Sequence, residues 1–215
     1  MIGTMGRLLG LAFVAVLLTL VLAARPALGQ PSPSPSTTPA PAAPVEPGEV
    51  VNDTYHNTSI GFRYPIPVGW VDRTAEMREA ATDHEKSSVL LAIFERPPQA
   101  AGQTVNSAVV IAVEPASAYP GLKSAAQYFG PVSELTTAKG FTPVAETYEF
   151  PVDGRPIVRR DFQRTTGSIT MHQSTLAMLT KGSIVSFTFL GGSYDDVTRL
   201  VEQLAFERAK KPAHK

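Results

Sequence analysis

"FTPVAETYEFPVDGRPIVRRDFQRTTGSITMHQSTLAMLTKGSIVSFTFLGG", residues 141–192, contains four strand-like runs broken by turn signals at Asp153-Gly154, Thr166-Gly167 and Lys181-Gly182. Loops this short can join only antiparallel neighbours, because a parallel connection needs a long crossover, so the stretch predicts an antiparallel meander. In its last run Val185, Phe187 and Phe189 fall on one face and Ser186 and Thr188 on the other. That alternation predicts a half-exposed strand.

Upstream, "SSVLLAIFER" (87–96) and "SAVVIAVEPA" (107–116) are apolar at both parities. Strands with no polar face are covered on both sides, so these two are read as central. The breakers in "PPQAAGQ" between them predict an antiparallel pair. Three helices complete the domain. The clearest is "SYDDVTRLVEQLAF", where Ser193 caps, Asp196 completes a capping box, and Val197, Leu200, Val201 and Leu204 recur at helical spacing. A second spans about Leu122 to Lys139, with Leu122, Ala125, Ala126 and Phe129 on one stripe, an interruption at Gly130-Pro131 and a stop at Gly140. A shorter third runs from Thr74 to His84. An antiparallel sheet with helices packed on it is an α+β domain.

"IGFRYPIPVGW" (60–70) opens the folded part. Phe62 and Tyr64 share one face of a strand that Pro65 ends, the Pro-Gly turn redirects the chain, and Trp70 returns to seal that end of the core. An exposed platform for a carbohydrate or a partner is the other role open to Trp70. "GFRYPIPVGW" (61–70), "AKGF" (138–141), the Gly154 turn followed by "RPIVRRDF", "TKGSIVSFTFLGG" (180–192) and "LVEQLAF" (200–206) occur in an order that resembles the PsbP-like family. That family is named for an extrinsic subunit of photosystem II, and many exported bacterial proteins are similar to it. The chain differs from the family's pattern by an extra Ile66-Pro67 before Val68-Gly69-Trp70. The resemblance implies an α-β-α sandwich used for binding and assembly, with no catalytic residue to carry over.

The chain has 215 residues, 19 Lys plus Arg against 19 Asp plus Glu, and no cysteine. Residues 1–29 place Arg7 before an apolar run from Leu8 to Ala24 and end in Ala27-Leu28-Gly29, the pattern of a secretory signal cut before Gln30. The run is long for a signal core, so an uncleaved membrane anchor is the alternative. Removing these residues takes away Arg7 and Arg25 and leaves 17 basic against 19 acidic side chains, a balance that asks for no nucleic acid. Without cysteine there are no disulfides, no thiol chemistry and no lipid attachment after the apolar run. Residues 30–50 form a Pro/Ser/Ala-rich linker, with seven prolines between 31 and 49 and almost no large apolar side chain. Such a segment cannot offset the entropy of folding and acts as a stiff spacer. The α+β domain is read at 51–208 and a polar tail at 209–215.

The most uneven charge lies in "RPIVRRDFQR", where Arg155, Arg159, Arg160 and Arg164 face a single Asp161. Strand alternation puts Arg160 and Arg164 on one side with Val158 and Phe162, and Arg159 on the other with Asp161. Guanidinium forks match carboxylate and phosphate, so these four are the candidate binding residues for an anionic partner or lipid head group. The competing reading is a solvated face paired to Asp161 and to Glu146 or Glu149. Asp83-His84-Glu85 offers metal-ligand side chains, but its neighbours along the chain do not converge on one ion, and His56, His172 and His214 are isolated, so no metal and no cofactor are expected. No nucleophile elbow or phosphate loop occurs. Asn52-Asp-Thr54 and Asn57-Thr-Ser59 match a glycosylation acceptor pattern, which matters only in a host that glycosylates exported chains. The sequence therefore reads as an exported, non-enzymatic domain on a proline-rich stalk that binds a protein or an envelope component. An extracytoplasmic hydrolase and a metal-dependent module using His84 or His172 are the rivals.

Overall fold

The computed structural model describes residues 45–81, 87–97, 100 and 104–207. Residues 1–44, the Asp83-His84-Glu85 cluster and the tail therefore lie outside the described residues. The protein is an α+β domain built on antiparallel sheets. The larger has eight strands, β4 (Val71–Asp72), β5 (Ser88–Phe94), β6 (Ala108–Pro115), β7 (Thr142–Pro143), β8 (Tyr148–Glu149), β9 (Val158–Thr166), β10 (Ile169–Thr180) and β11 (Ser183–Gly191). Their spatial order is β4-β5-β6-β11-β10-β9-β7, with β8 also paired to β9. The meander is present, and β5 and β6 are an antiparallel pair with almost every side chain buried.

Turn chemistry sets the registers. Thr180 pairs with Ser183 around Lys181-Gly182, whose φ values of 49° and 76° are those of a type I′ turn. Asp153-Gly154, between the bridged Val152 and Arg155, repeats this geometry with 48° and 76°. The middle hairpin turns one residue later than the sequence suggests: Thr166 pairs with Ile169, and of the two residues between them only Gly167 has positive φ, as in a II′ turn.

The expected strand through Phe62 and Tyr64 belongs to a second sheet, not to the large one. β1 (Glu49–Val51), β2 (Thr54–Asn57), β3 (Phe62–Pro65) and β12 (Ala205–Phe206) form a separate four-stranded sheet in the order β1-β2-β3-β12. It lies with helix α3 (Tyr194–Val201) over one face of the large sheet, and α1 (Thr74–Glu79) and α2 (Ala125–Ala138) cover the other. On the first face Phe62 meets Phe187 edge-on at 5.2 Å between ring centres, and Tyr64 lies 6.0 Å from Phe189. Tyr64 also donates a hydrogen bond to the Leu200 carbonyl at 2.9 Å, so a single phenol ties β3 to α3. Burial pushes that phenol well above its ordinary pKa.

Several expectations are corrected. β11 is not half exposed: it sits between β6 and β10, and Ser186 is buried on the face under the helices. Polar alternation reports side-chain type, not what covers the strand. Helix α2 runs unbroken through Pro131, beside exposed Gly130 and below exposed Gln127, where water can satisfy the carbonyl that proline leaves unpaired. Its buried stripe is Ala125, Tyr128, Phe129 and Thr136, while Ala126 is exposed. Asp196 does not close a capping box. Its backbone N–H donates to Ser193 Oγ at 3.1 Å, but its carboxylate accepts from Arg199. Helix α3 stops at Val201, and Phe206 joins β12 opposite Phe62. Helix α1 ends at Glu79. It serves the edge of β5: Thr74 Oγ1 accepts the Ala92 N–H at 2.9 Å, and Arg78 donates to the Leu90 carbonyl at 3.1 Å.

Trp70 is half-buried, packed against the core from its rim, while Phe62 and Tyr64 fill the interior. Residues 45–50, read from sequence as spacer, are fastened to the small sheet. Asn57 donates to the Glu46 carbonyl at 3.0 Å, the Gly48 N–H donates to Tyr55 Oη at 3.0 Å, and Val45 packs on the core. A Cβ on Gly48 would come within 2.2 Å of the His56 carbonyl, so only glycine fits. Asn57 itself is buried and fully bonded, which removes it as a glycosylation acceptor, whereas Asn52 lies on an exposed turn. No helix among the described residues is long and apolar enough to cross a membrane.

Candidate binding cleft

Strand β9 distributes the arginines over two faces. Arg159 pairs in register with Leu176 and Asp161 with Ser174, so these side chains rise on the face shared with α3. Arg159 is only 3% exposed. Its Nε donates to Asp161 Oδ1 at 2.8 Å and its Nη2 to Ser174 Oγ at 2.8 Å. Ser174 in turn donates to Asp161 Oδ1, and Tyr148 donates to Oδ2 at 2.9 Å. The carboxylate accepts from three donors, and the pair is neutral as a unit. Only such complete pairing makes a buried ion pair tolerable.

Aromatic rings enclose the guanidinium. Its carbon lies 5.0 Å from the centre of Phe150 and 6.0 Å from each of Tyr148 and Tyr194. The quadrupole of each ring favours the cation. The Tyr148 phenol is raised above its ordinary pKa by burial and by its hydrogen bond to Asp161. Tyr148 and Tyr194 nevertheless keep 37% and 56% of their surface in solvent, and Val144 nearby keeps 56%. Beside them opens a cleft of about 110 Å³, bounded by Val144, Tyr194 and Val197 and by Asp161, Gln163 and His172. Gln163 and His172 are register partners on adjacent strands, and neither side chain has a hydrogen-bond partner among the described residues. The arrangement is an apolar rim over a neutralised polar floor, with an amide and an imidazole available to a ligand. Ser174 is held as a bridge between Arg159 and Asp161.

The opposite face uses its arginines for construction. Arg160 Nη1 donates to Ser133 Oγ on α2 at 2.9 Å and lies 3.9 Å from the exposed carboxylate of Glu146. Arg164 stacks 5.0 Å from the Phe141 ring centre and donates to the Lys139 carbonyl at 3.1 Å, capping the end of α2. Arg155, on the β8–β9 turn, lies instead on the first face, where it covers the Phe206 ring at 5.9 Å. The four arginines therefore share no common surface. The ion pairs read from sequence to Asp161 and Glu146 are present, but Arg159 is sealed rather than solvated. Among the described residues no group of three His, Cys, Asp or Glu side chains could hold a metal ion.

A second buried carboxylate lies at the end of β6. Glu114 accepts from Tyr128 at 3.0 Å and from Tyr119, under α2 and the 3₁₀ turn Ala116–Ala118. Burial raises its pKa, and the two phenols oppose that rise. Tyr119 and Tyr128 are raised in turn by burial and by the Glu114 charge.

Sequence reasoning found Arg159 and Asp161 and named His172 only as a rival metal ligand, but missed Tyr148, Tyr194 and Gln163. The available signal was the Tyr-x-Phe of 148–150 and a tyrosine directly after the Ser193 cap, an exposed position for a large ring.

No family model matches the chain, and no curated protein does. Among solved structures, the chain is similar to cyanobacterial PsbP (CyanoP) of Synechocystis sp. PCC 6803, with a TM-score of 0.48 and 14% identity over 72% of this chain and 91% of that one. It is also similar to LpqN of Mycobacterium tuberculosis, described as involved in cell envelope biogenesis, with a TM-score of 0.37 and 11% identity over 68% and 83% of the two chains.

Proposed function

We propose that this protein is an exported, non-enzymatic binding domain that engages a protein or envelope component through the aromatic-rimmed cleft beside β9 and β10. The observation that carries this reading is the exposure of Tyr148 and Tyr194 above an ion pair already satisfied from within. Large rings left in solvent over a rigid, desolvated base are the composition of an interface anchor. The arginines of β9 act as supports: Arg159 holds the rim from below, and Arg160 and Arg164 fix α2. Residues 1–29 direct export or anchor the chain, and the proline-rich segment sets the domain away from its point of attachment.

The test is affinity capture from a native envelope fraction with the chain from Gln30 onward, comparing wild type with Tyr194→Ala, which disturbs no hydrogen bond among the described residues. Partners retained by wild type and lost by the variant support the reading. Equal retention by both removes the cleft from the interface. Hydrolysis of envelope substrates by the purified chain, abolished by His172→Ala, would favour an enzyme instead.

A further inference from the structure

We infer that the cleft is filled, in the protein's unbound state, by the chain's own proline-rich segment, residues 31–44. This inference rests on the reading of the cleft as a binding surface. A polyproline helix satisfies none of its own carbonyls and presents rigid pyrrolidine rings, so its receptors combine aromatic walls with side-chain hydrogen-bond donors. The cleft supplies both. Tyr194 and Val144, both exposed, line about 110 Å³ of space, room for a small ring. Gln163 and His172 sit in register at its wall with donors that nothing among the described residues uses. Charge agrees as well: the Arg159–Asp161 pair is internally neutral, and residues 31–44, "PSPSPSTTPAPAAP", carry six prolines and no charge.

Connectivity brings the two together. Pro44 directly precedes Val45, which packs on the core, and the Glu46 carbonyl is bonded by Asn57. At roughly 3.1 Å per residue, fourteen residues span ~43 Å, enough to cross a domain about 40 Å wide. Tethering gives an effective concentration on the order of millimolar, so even weak docking would occupy the cleft. The spacer would then compete with an external partner and lower its apparent affinity by the fraction of time the cleft is filled.

The experiment compares amide and aromatic NMR spectra of the chain from Gln30 onward with those of the same chain lacking residues 31–44, and adds a synthetic peptide of residues 31–44 to the shortened chain. The expected result is that deletion shifts signals of Gln163, His172 and Tyr194, that the peptide returns them saturably toward the intact positions, and that Tyr194→Ala weakens the peptide about tenfold or more. A peptide with Pro31, Pro33 and Pro35, the prolines farthest from the Val45 anchor, changed to Ala should not restore them. Coincident spectra of intact and shortened chains at these residues, or a peptide that moves none of them, would overturn the inference. So would shifts in the intact chain that grow with protein concentration, since the segment would then come from another copy. If the shortened chain still captures an envelope partner in a Tyr194-dependent way, only self-docking has failed; loss of that capture as well removes the cleft reading itself.

Discussion

The two carboxylates buried among the described residues, Asp161 and Glu114, are solved in opposite ways. Asp161 lies under the rim of the cleft and has a full cation, a serine and a phenol as partners. Glu114 lies under α2 with two phenols and no cation, and burial raises its pKa. The first arrangement leaves a neutral, rigid base beneath exposed rings. The second leaves a group whose ionisation opposes folding. A buried acid is thus informative through its partner: an arginine builds a platform, and phenols alone leave a pH-dependent cost.

The largest expected effect breaks the first cluster. Arg159→Ala leaves Asp161 charged and unpaired under the rings, and denaturant unfolding should show a loss of about 3–5 kcal/mol. Removing both charges with Arg159→Met/Asp161→Leu should recover most of that loss, because a well-packed apolar pair replaces a buried ion pair at little net cost. A double variant as unstable as the single would show that the Arg159 stem and the surrounding packing matter more than its charge. Next in size is Tyr128→Phe, which takes one donor from Glu114 and should cost about 1–3 kcal/mol by the same measurement.

Glu114→Gln sharpens the contrast through pH. A raised folded-state pKa means the native state holds its proton more tightly than the unfolded chain, so the stability linked to Glu114 is complete below its unfolded value of 4.5 and is lost as pH rises through the folded pKa. The glutamine variant should therefore gain on wild type as pH rises above about 4.5, with a slope no steeper than about 1.4 kcal/mol per pH unit for one proton. A difference that stays flat with pH would place the carboxyl in contact with water. The smallest effect belongs to Tyr194→Ala, which should change stability by no more than about 1 kcal/mol, the scale of one half-exposed cation–π contact to Arg159, while removing the exposed ring of the cleft.

Much of the fold was legible in the sequence because local chemistry determines it. Asp153-Gly154 and Lys181-Gly182 reach positive φ and turn the hairpins, the doubly apolar runs of β5 and β6 occupy the middle of the sheet, and Ser193 caps α3. Strand alternation also paired Arg159 with Asp161 and set Arg160 on the other face. What was not legible depends on contacts between distant segments. Ser186 looks solvent-facing until α2 covers it, and Phe206 continues a helical pattern until β3 offers it a strand partner. Trp70, the largest ring, stays at the rim because β3 delivers Phe62 and Tyr64 to the interior before the chain turns. Tyr148 and Tyr194 meet over Arg159 only because β8 lies along β9 and α3 starts directly after β11. No spacing rule links those two residues.

The most direct measurement is photo-crosslinking in the native envelope, with the reactive side chain placed at position 194 in one protein and at exposed Gln127 on α2 in another. A discrete partner adduct from position 194 and none from 127 is the predicted result. Adducts of equal yield from both positions, or from 127 alone, would contradict the assignment of the tyrosine-rimmed cleft as the binding surface.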